Sequence, residues 1–249
     1  MALSCISTIA SSQFVVNSGP TYLSFIYPTT LGVSANTITG PTYNYTAGTG
    51  TNVYRNGNYN MMSTYNNGVN QIWRAFTQDN TKFYMTGIVA SNTQTVYNSA
   101  TDGTSSGSNL TYTRQAYVSA TGVYQGGTTT LSQRVQTTYN TSSISYGEMV
   151  QLKFPFRFVF RKLSIALGNT NDFGPREIHV LGSNDNITWT QVHFQTYTTT
   201  YTQSVVALVI NNTTNTVPYA HHRFIWEKNN GGNVIILEKM IVEGLAEVV

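Results

Sequence analysis

The chain has 249 residues, of which 40% are hydrophobic, enough to bury a sizeable core within one domain. Only 9% are charged, against about 25% in an average soluble protein, so Thr, Ser, Asn, Gln and Tyr must supply most of the polar surface. The 13 basic residues are spread along the chain and the formal net charge is only +3. This pattern argues against the clustered basic face of a nucleic-acid-binding protein, and we expect no nucleic-acid partner.

A single cysteine, Cys5, excludes an internal disulfide and favours folding in a reducing compartment. Residues 1–16 are only mildly apolar and lack a basic segment, so we expect no signal peptide. No apolar run approaches the roughly 20 residues that a transmembrane helix needs. We therefore expect no membrane partner.

Residues 1–27 are predicted to form an N-terminal extension or arm, followed by one domain over residues 28–249. The extension includes Phe14, Tyr22 and Phe25, and disordered tails generally lack such aromatic density. Two alternatives remain open. The extension forms an additional strand on the sheet of the domain, or it is an arm that docks on a neighbouring subunit.

The region that follows is punctuated by glycines, which predicts irregular strands and loops. Gln71–Phe76 is a short helical or turn candidate, Phe83–Val89 reads as a strand, and Thr93–Asn109 is predicted to be an exposed loop. Tyr combines an apolar ring with a polar tip and suits contact surfaces. Six tyrosines in predicted loop regions are therefore candidate contacts to a ligand or a protein partner: Tyr43, Tyr45, Tyr54, Tyr59, Tyr97 and Tyr197.

The central stretch from Val150 to Phe160 has apolar residues at every even position, and this period of two predicts a strand with one wet face. Pro155 lacks an N–H donor and is predicted to split the run into two strands. Gly182–Asn186 predicts a turn before a strand that carries Trp189. Asn229–Gly232 predicts a second hairpin. These patterns indicate an all-β fold, an antiparallel β-sandwich.

Catalytic constellations are not evident in the sequence. His221 and His222 are the only histidine pair, and adjacent residues of a strand face opposite sides, so they cannot act jointly. Glycosidase chemistry needs two facing carboxylates, and no pattern joins the acidic residues into such a pair. Neither a phosphate-binding loop nor a dinucleotide fingerprint occurs. We expect that the protein is not an enzyme.

Three segments together resemble the discoidin-like jelly roll, the type C domain of coagulation factors. GEMVQ at residues 147–151 looks like the Gly-Glu-aromatic-apolar-Gln strand of that family, with Met149 where an aromatic residue is usual. RKLSI at residues 161–165 is similar to its Lys-apolar-Ser strand, and GSNDNITW at residues 182–189 to its Gly-Ser-Asn-Asp hairpin and Trp. The resemblance covers roughly Pro28 to Leu245 and implies a discoidin-like jelly roll with an N-terminal extension.

The Asn-, Thr- and Tyr-rich spacers resemble those of discoidin-like structural proteins of large nucleocytoplasmic DNA viruses. That resemblance implies a non-enzymatic virion protein, a minor capsid or capsid-decorating protein assembled in the host cytoplasm. Its partners would be capsid proteins or further copies of itself, contacted through the N-terminal extension and the loops at 92–109 and 211–216. The alternative is a carbohydrate-binding module or a receptor-binding, lectin-like protein that binds glycans.

The resemblance also implies a calcium site. In sugar-binding members of the family, a loop after the Ala-Phe step holds Ca²⁺ with an Asp side chain and backbone oxygens. The matching positions 77–81 place Asp79 and Asn80 as oxygen ligands, whereas Thr77 stands where the family has Asp. One charged ligand is therefore missing from the pattern. The alternative is a solvated turn that holds no ion, and we expect no other cofactor.

Overall fold

A computed structural model describes residues 21–26, 42–47, 57–64, 72–76, 84–86, 94–98, 108–112, 114–126, 134–167, 171–197 and 208–248. Within these ranges the chain forms fifteen strands and two short 3₁₀ turns, at Ile72–Phe76 and Asn171–Phe173. The strands are β1 (Thr21–Ile26), β2 (Thr42–Ala47), β3 (Gly57–Ser63), β4 (Tyr84–Thr86), β5 (Gln94–Asn98), β6 (Ser108–Tyr112), β7 (Gln136–Tyr139), β8 (Ser143–Tyr146), β9 (Glu148–Ala166), β10 (Pro175–Ser183), β11 (Thr190–Thr196), β12 (Leu208–Asn211), β13 (Tyr219–Asn229), β14 (Ile235–Leu237) and β15 (Lys239–Val248).

Nine of the described strands join into one antiparallel sheet in the order β1-β15-β9-β13-β10-β11, with β12 and β3 also paired to β9 and β2 paired to β3. The first half of β9 lies between β3 and β13. Its second half lies between β12 and β15. The long strand thus passes from layer one (β2, β3, β13, β10, β11) to layer two (β1, β15, β12). The predicted antiparallel β-sandwich is confirmed.

The alternation predicted for the first half of β9 is confirmed, because the even-numbered apolar side chains are buried or half-buried and most odd-numbered ones are exposed. The predicted split at Pro155 is wrong, since one strand runs from Glu148 to Ala166. No described ladder pair includes residues 154–157. Pro155 therefore lies where β9 changes neighbours, and its missing N–H costs no ladder hydrogen bond.

The segment RKLSI at residues 161–165, which resembles a strand of its own in the discoidin-like family, is the continuation of β9. Phe160 pairs with Gly244 and Lys162 pairs with Glu243, so Arg161 is an extra residue, a β-bulge. The bulge changes which positions face the core. Phe154, Phe158 and Phe160 are buried before it and Phe156 is half-buried, whereas Leu163 and Ile165 are fully buried after it.

Two loop predictions are wrong. The region predicted as an exposed loop over Thr93–Asn109 contains β5 and the start of β6, which pair as an antiparallel hairpin. The turn at Asn229 is present, but it closes no hairpin, because β14 pairs with β4 and not with β13. The Asn229 amide shapes this turn instead. It donates to the carbonyls of Gly232 at 3.0 Å and Val234 at 2.8 Å.

The N-terminal extension contributes a strand. Thr21–Ile26 pairs along its whole length with β15. Of the two alternatives, the additional strand is therefore the one found for these six residues, and residues 1–20 lie outside the described part of the chain. The predicted helical turn is confirmed at Ile72–Phe76, where Ile72, Ala75 and Phe76 are buried.

The turn between β10 and β11 is held by one carboxylate from the motif that carries the resemblance. Asp185 accepts hydrogen bonds from the backbone N–H groups of Ile187 at 2.8 Å and Thr188 at 2.7 Å, and from the Ser183 hydroxyl at 2.9 Å. These donors, the Ile187 N–H foremost, hold the pKa of Asp185 far below its ordinary value. The motif has a structural role here, because it fixes the β10–β11 hairpin.

A second part of the motif forms a buried polar network. Gln151 was predicted on the solvent-exposed face of the strand, but it is buried. Its carbonyl oxygen accepts hydrogen bonds from Nε of the fully buried Arg223 at 3.0 Å and from Nη2 at 2.6 Å. The Gln151 amide donates to Asn186 at 2.9 Å. Nη1 of Arg223 donates to Thr137 at 2.6 Å, and the guanidinium lies 4.1 Å from the Trp189 ring centre. The network ties β9, β13, β7 and the turn together.

Candidate functional site

Three neighbouring strands bring a polar pair and an exposed ring together on the face of layer one that points away from the core. Cross-strand pairing places His179 of β10 opposite Ile225 of β13 and opposite Phe194 of β11. Side chains two residues apart on a strand share a face, so Glu227 is the diagonal neighbour of His179. His179 lies on this face, where the rings of Phe194 and of Tyr139 in the β7–β8 hairpin lie against it, and it is buried.

The histidine and the glutamate form a hydrogen-bonded pair. His179 Nε2 lies 3.2 Å from Glu227 Oε2. His179 Nδ1 is buried without a hydrogen-bond partner among the described residues, so Nε2 carries the hydrogen that bridges to the carboxylate. The other carboxylate oxygen accepts the backbone N–H of Tyr146 at 3.0 Å.

The environment of Glu227 keeps it ionised. Burial acts to raise the pKa of Glu227, but the hydrogen bond and electrostatic attraction of His179, with hydrogen bonds from the Ser145 hydroxyl and the Tyr146 N–H, outweigh burial and hold the pKa below its ordinary value. Burial and the charge of Glu227 together raise the pKa of the nearby Tyr139 phenol. At neutral pH the site therefore combines a carboxylate with a neutral phenol.

Aromatic rings surround this pair. The Phe194 ring centre lies 4.4 Å from that of His179, and the Tyr139 ring centre lies 5.7 Å away on β7. Phe194 is 42% exposed and Tyr146 is 37% exposed. We call these five residues, Tyr139, Tyr146, His179, Phe194 and Glu227, the Phe194 platform.

The platform offers two kinds of contact. The exposed ring of Phe194 presents an apolar surface in contact with the ring of His179. The Glu227 side chain is 28% exposed, and a carboxylate has about four acceptor positions. Hydrogen bonds from His179 and Tyr146 and the nearby Ser145 hydroxyl take up part of this capacity, and the remaining positions are available to donors from a ligand. A ligand with an apolar face and hydroxyl donors at its rim fits this arrangement.

The structure separates the tyrosines predicted as contacts. Tyr43 and Tyr45 lie in β2 and Tyr59 lies in β3, where Tyr45 pairs directly with Tyr59. Tyr97 lies in β5. The prediction that these four lie in loops is therefore wrong, and Tyr54 falls outside the described residues.

Tyr197, the sixth of these tyrosines, lies just after β11, three residues from Phe194. Its hydroxyl donates to the Val209 carbonyl at 2.9 Å, and burial raises its pKa to about 12. Its hydroxyl thus joins the end of β11 to β12.

The predicted calcium ligands Asp79 and Asn80 lie outside the described residues, so the calcium site stays a prediction. Among the residues that the structure does describe, no group of three or more His, Cys, Asp or Glu side chains could hold a metal ion. A search of the same residues finds no helix long and apolar enough to cross a membrane.

The histidine pair is split between two faces of β13, as predicted, although neither residue is at a sheet edge. His222 lies in the core, with ring centres 5.5 Å from Phe154 and 5.4 Å from Phe158. Neither of its ring nitrogens has a hydrogen-bond partner among the described residues. Burial, with the neighbouring His221, lowers the pKa of His222 to about 3. It is a core residue.

The basic residues of β9 do not form a free cationic patch. Arg157 pairs with Glu247, and Lys162 lies 2.6 Å from Glu243. Nη1 of Arg161 donates to a backbone carbonyl at 2.8 Å. Two of the four basic side chains of β9, Arg157 and Lys162, are therefore compensated by carboxylates of the last strand.

Comparison with protein-family models gives no match, and neither does comparison with curated proteins. Similar solved structures exist. One is the family 32 carbohydrate-binding module of NanJ from Clostridium perfringens in complex with galactose, at 7% identity, covering 74% of this chain and 93% of that chain, with a TM-score of 0.44. Another is CpGH89CBM32-5 from Clostridium perfringens in complex with GalNAc-β-1,3-galactose, at 7% identity, 74% and 92% coverage, and a TM-score of 0.41.

A third similar structure is CBM32-3 from a family 31 glycoside hydrolase of Clostridium perfringens, at 12% identity, 74% and 87% coverage, and a TM-score of 0.39. At these identities and scores the likeness carries no argument about the family or the ligand of this chain. The functional reading therefore depends on the platform itself.

Sequence reasoning missed the platform. The alternation in EIHVL and FIWEK places His179 and Glu227 on one face of their strands, and that signal was present. The pairing of β10 with β13 could not be predicted, because β11 and β12 lie between these two strands in the chain. Phe194 gave no signal of its own, because an aromatic residue in a strand is more often core than surface.

Proposed function

We propose that the protein is a non-catalytic binding module whose ligand is a carbohydrate, bound on the Phe194 platform. The observation that carries the proposal is the exposed Phe194 ring set against the hydrogen-bonded pair of His179 and Glu227. A sugar ring has an apolar C–H face and a rim of hydroxyl donors. The face would stack on Phe194, and the hydroxyls would donate to the remaining acceptor positions of Glu227.

Of the two functions considered from the sequence, this is the carbohydrate-binding alternative, and the platform favours it over a purely architectural role. A surface that serves only packing does not need an ionised carboxylate beside an exposed ring. The virion role, its capsid partners and the location in the virion stay predictions of the resemblance, because no described contact bears on them. The tyrosine candidates stay predictions as well.

The test is a glycan array followed by titration of the best neutral sugar, monitored by NMR. Phe194→Ala should weaken binding at least tenfold, which corresponds to about 1.4 kcal/mol, because it removes the stacking surface. Phe194→Leu keeps apolar cover over His179 and should also weaken binding, since the ring is lost. Val217→Ala is the matched control, because Val217 is 49% exposed and outside the platform. It should bind like the unmodified protein.

Two results would overturn the proposal. One is an array on which no sugar binds. The other is a bound sugar whose affinity is the same in Phe194→Ala as in the unmodified protein and in Val217→Ala. Either would show that the platform is not a sugar site.

A further inference from the structure

We infer that the sugar bound on the platform is uncharged, and that Glu227 rejects sugars that carry a carboxylate. This inference rests on the proposed function and specifies its ligand class. It follows from the fixed charges around Phe194, each of which belongs to a described side chain.

The first step is the charge of the site itself. Hydrogen bonds from His179 and from the Tyr146 N–H hold Glu227 as a carboxylate, and 28% of this side chain is exposed. A ligand stacked on Phe194 lies beside His179, whose ring is in contact with both Phe194 and the carboxylate. A charge on the side of the ligand that faces β13 therefore meets this carboxylate.

The second step is the surrounding charge. Lys228 and Glu177 form a charged pair on the same strands, with Nζ and Oε1 3.7 Å apart. These two charges compensate each other, so Lys228 does not neutralise Glu227. The two arginines of these strands have other hydrogen-bond partners: Nε of Arg176 donates to the Tyr197 carbonyl at 2.7 Å, and the fully buried Arg223 donates to Gln151 and Thr137. Two carboxylates about 5 Å apart at a partly exposed site repel each other enough to weaken binding about tenfold or more.

The third step is the hydrogen-bonding requirement. An ionised carboxylate only accepts hydrogen bonds. Sugar hydroxyls can donate to its remaining acceptor positions, whereas a carboxylate on a sugar is itself only an acceptor and cannot donate to it. Charge and hydrogen bonding thus favour the same class, a neutral sugar with free hydroxyl groups.

The experiment compares matched sugars that differ only at one carbon. Methyl galactoside and methyl glucoside are titrated against their uronides, in which the terminal hydroxymethyl group is a carboxylate. The unmodified protein should bind the better neutral sugar at least tenfold more tightly than its uronide at low salt. The ratio should shrink at 0.5 M NaCl, because salt screens partly exposed charges.

Glu227→Gln should reduce the ratio to about threefold or less, since it removes the repelling charge. Glu243→Gln is the matched control: Glu243 is equally exposed at 29% and pairs with Lys162 on layer two. It should leave the ratio unchanged. If Glu227→Gln loses all binding, the salt dependence of the ratio in the unmodified protein shows whether charge repulsion causes the selectivity.

The outcomes separate the two proposals. Equal binding of neutral and acidic sugars, with both lost in Phe194→Ala, would overturn the charge selectivity and leave the sugar site standing. A tenfold ratio that neither salt nor Glu227→Gln reduces would also overturn it. Absence of any sugar binding would overturn the proposed function itself.

Discussion

Replacing Gln151 by Leu tests whether the buried arginine network stabilises the fold. Leu has a similar volume but cannot accept the two hydrogen bonds from Arg223 at 3.0 and 2.6 Å. Arg223 is fully buried, so its charge would lose its main acceptor where water cannot replace it. Breaking a buried charged contact in this way costs about 3–5 kcal/mol, out of a total stability of about 5–15 kcal/mol.

Urea unfolding followed by far-ultraviolet circular dichroism measures the effect. Gln195→Leu is the control, because the Gln195 amide donates only to a neighbouring backbone carbonyl at the surface. It should change stability by less than about 0.5 kcal/mol.

The double variant with Arg223→Met makes the test specific to this pair. Arg223→Met alone leaves the Gln151 amide without its main donor and should cost about 1–3 kcal/mol. With both groups replaced by apolar side chains, the buried charge and the Gln151 amide are both absent, and Thr137 and Asn186 each lose one hydrogen bond. The double variant should therefore lose at least about 1.5 kcal/mol less than the sum of the single losses. Additive losses, or a Gln151→Leu cost below about 1 kcal/mol, would refute the reasoning.

Two further stability predictions follow from single side chains. The imidazole of His222 has a pKa of about 3 in the folded state and about 6.5 in the unfolded chain, so only the unfolded chain takes up its proton between these values. Stability should fall as the pH drops below about 6.5, by about 2 kcal/mol at pH 5. His222→Phe should remove this part of the pH dependence. If the urea midpoints of the two proteins fall by the same amount between pH 7.5 and pH 5, His222 is not the cause. At Gly182, an added Cβ would lie 2.2 Å from the Tyr219 ring. Gly182→Ala should therefore cost about 1–3 kcal/mol in thermal unfolding, and Tyr219→Ala in the same chain should recover part of it; no recovery would mean that the clash is not the cause.

Local patterns predicted those features that depend on neighbouring residues. The alternation around Phe154 places the core side of β9, because the side-chain period of a strand is two. The turn at Gly182–Asn186 follows from the types of its residues. The hairpin of β10 and β11 then follows from a short connection.

Features that depend on partners distant in the chain were not predictable. Asn229 makes a turn, but only the packing of the whole sheet decides that β14 joins β4 and not β13. Pro155 looked like a strand break because the gap between two sets of neighbours is invisible in the sequence. The Phe194 platform was missed for the same reason, since it needs the register of three strands.

The bulge at Arg161 means that the two halves of β9 obey different counting rules. A chain shortened by this one residue would keep nearly the same composition, yet Leu163 and Ile165 would exchange strand faces with Ser164. The hydrophobic content would then be unchanged, while each side chain of β9 after the deletion would lie on the opposite face of the strand. The number of residues between Phe160 and Leu163 is thus as much a part of what specifies this protein as the side chains themselves.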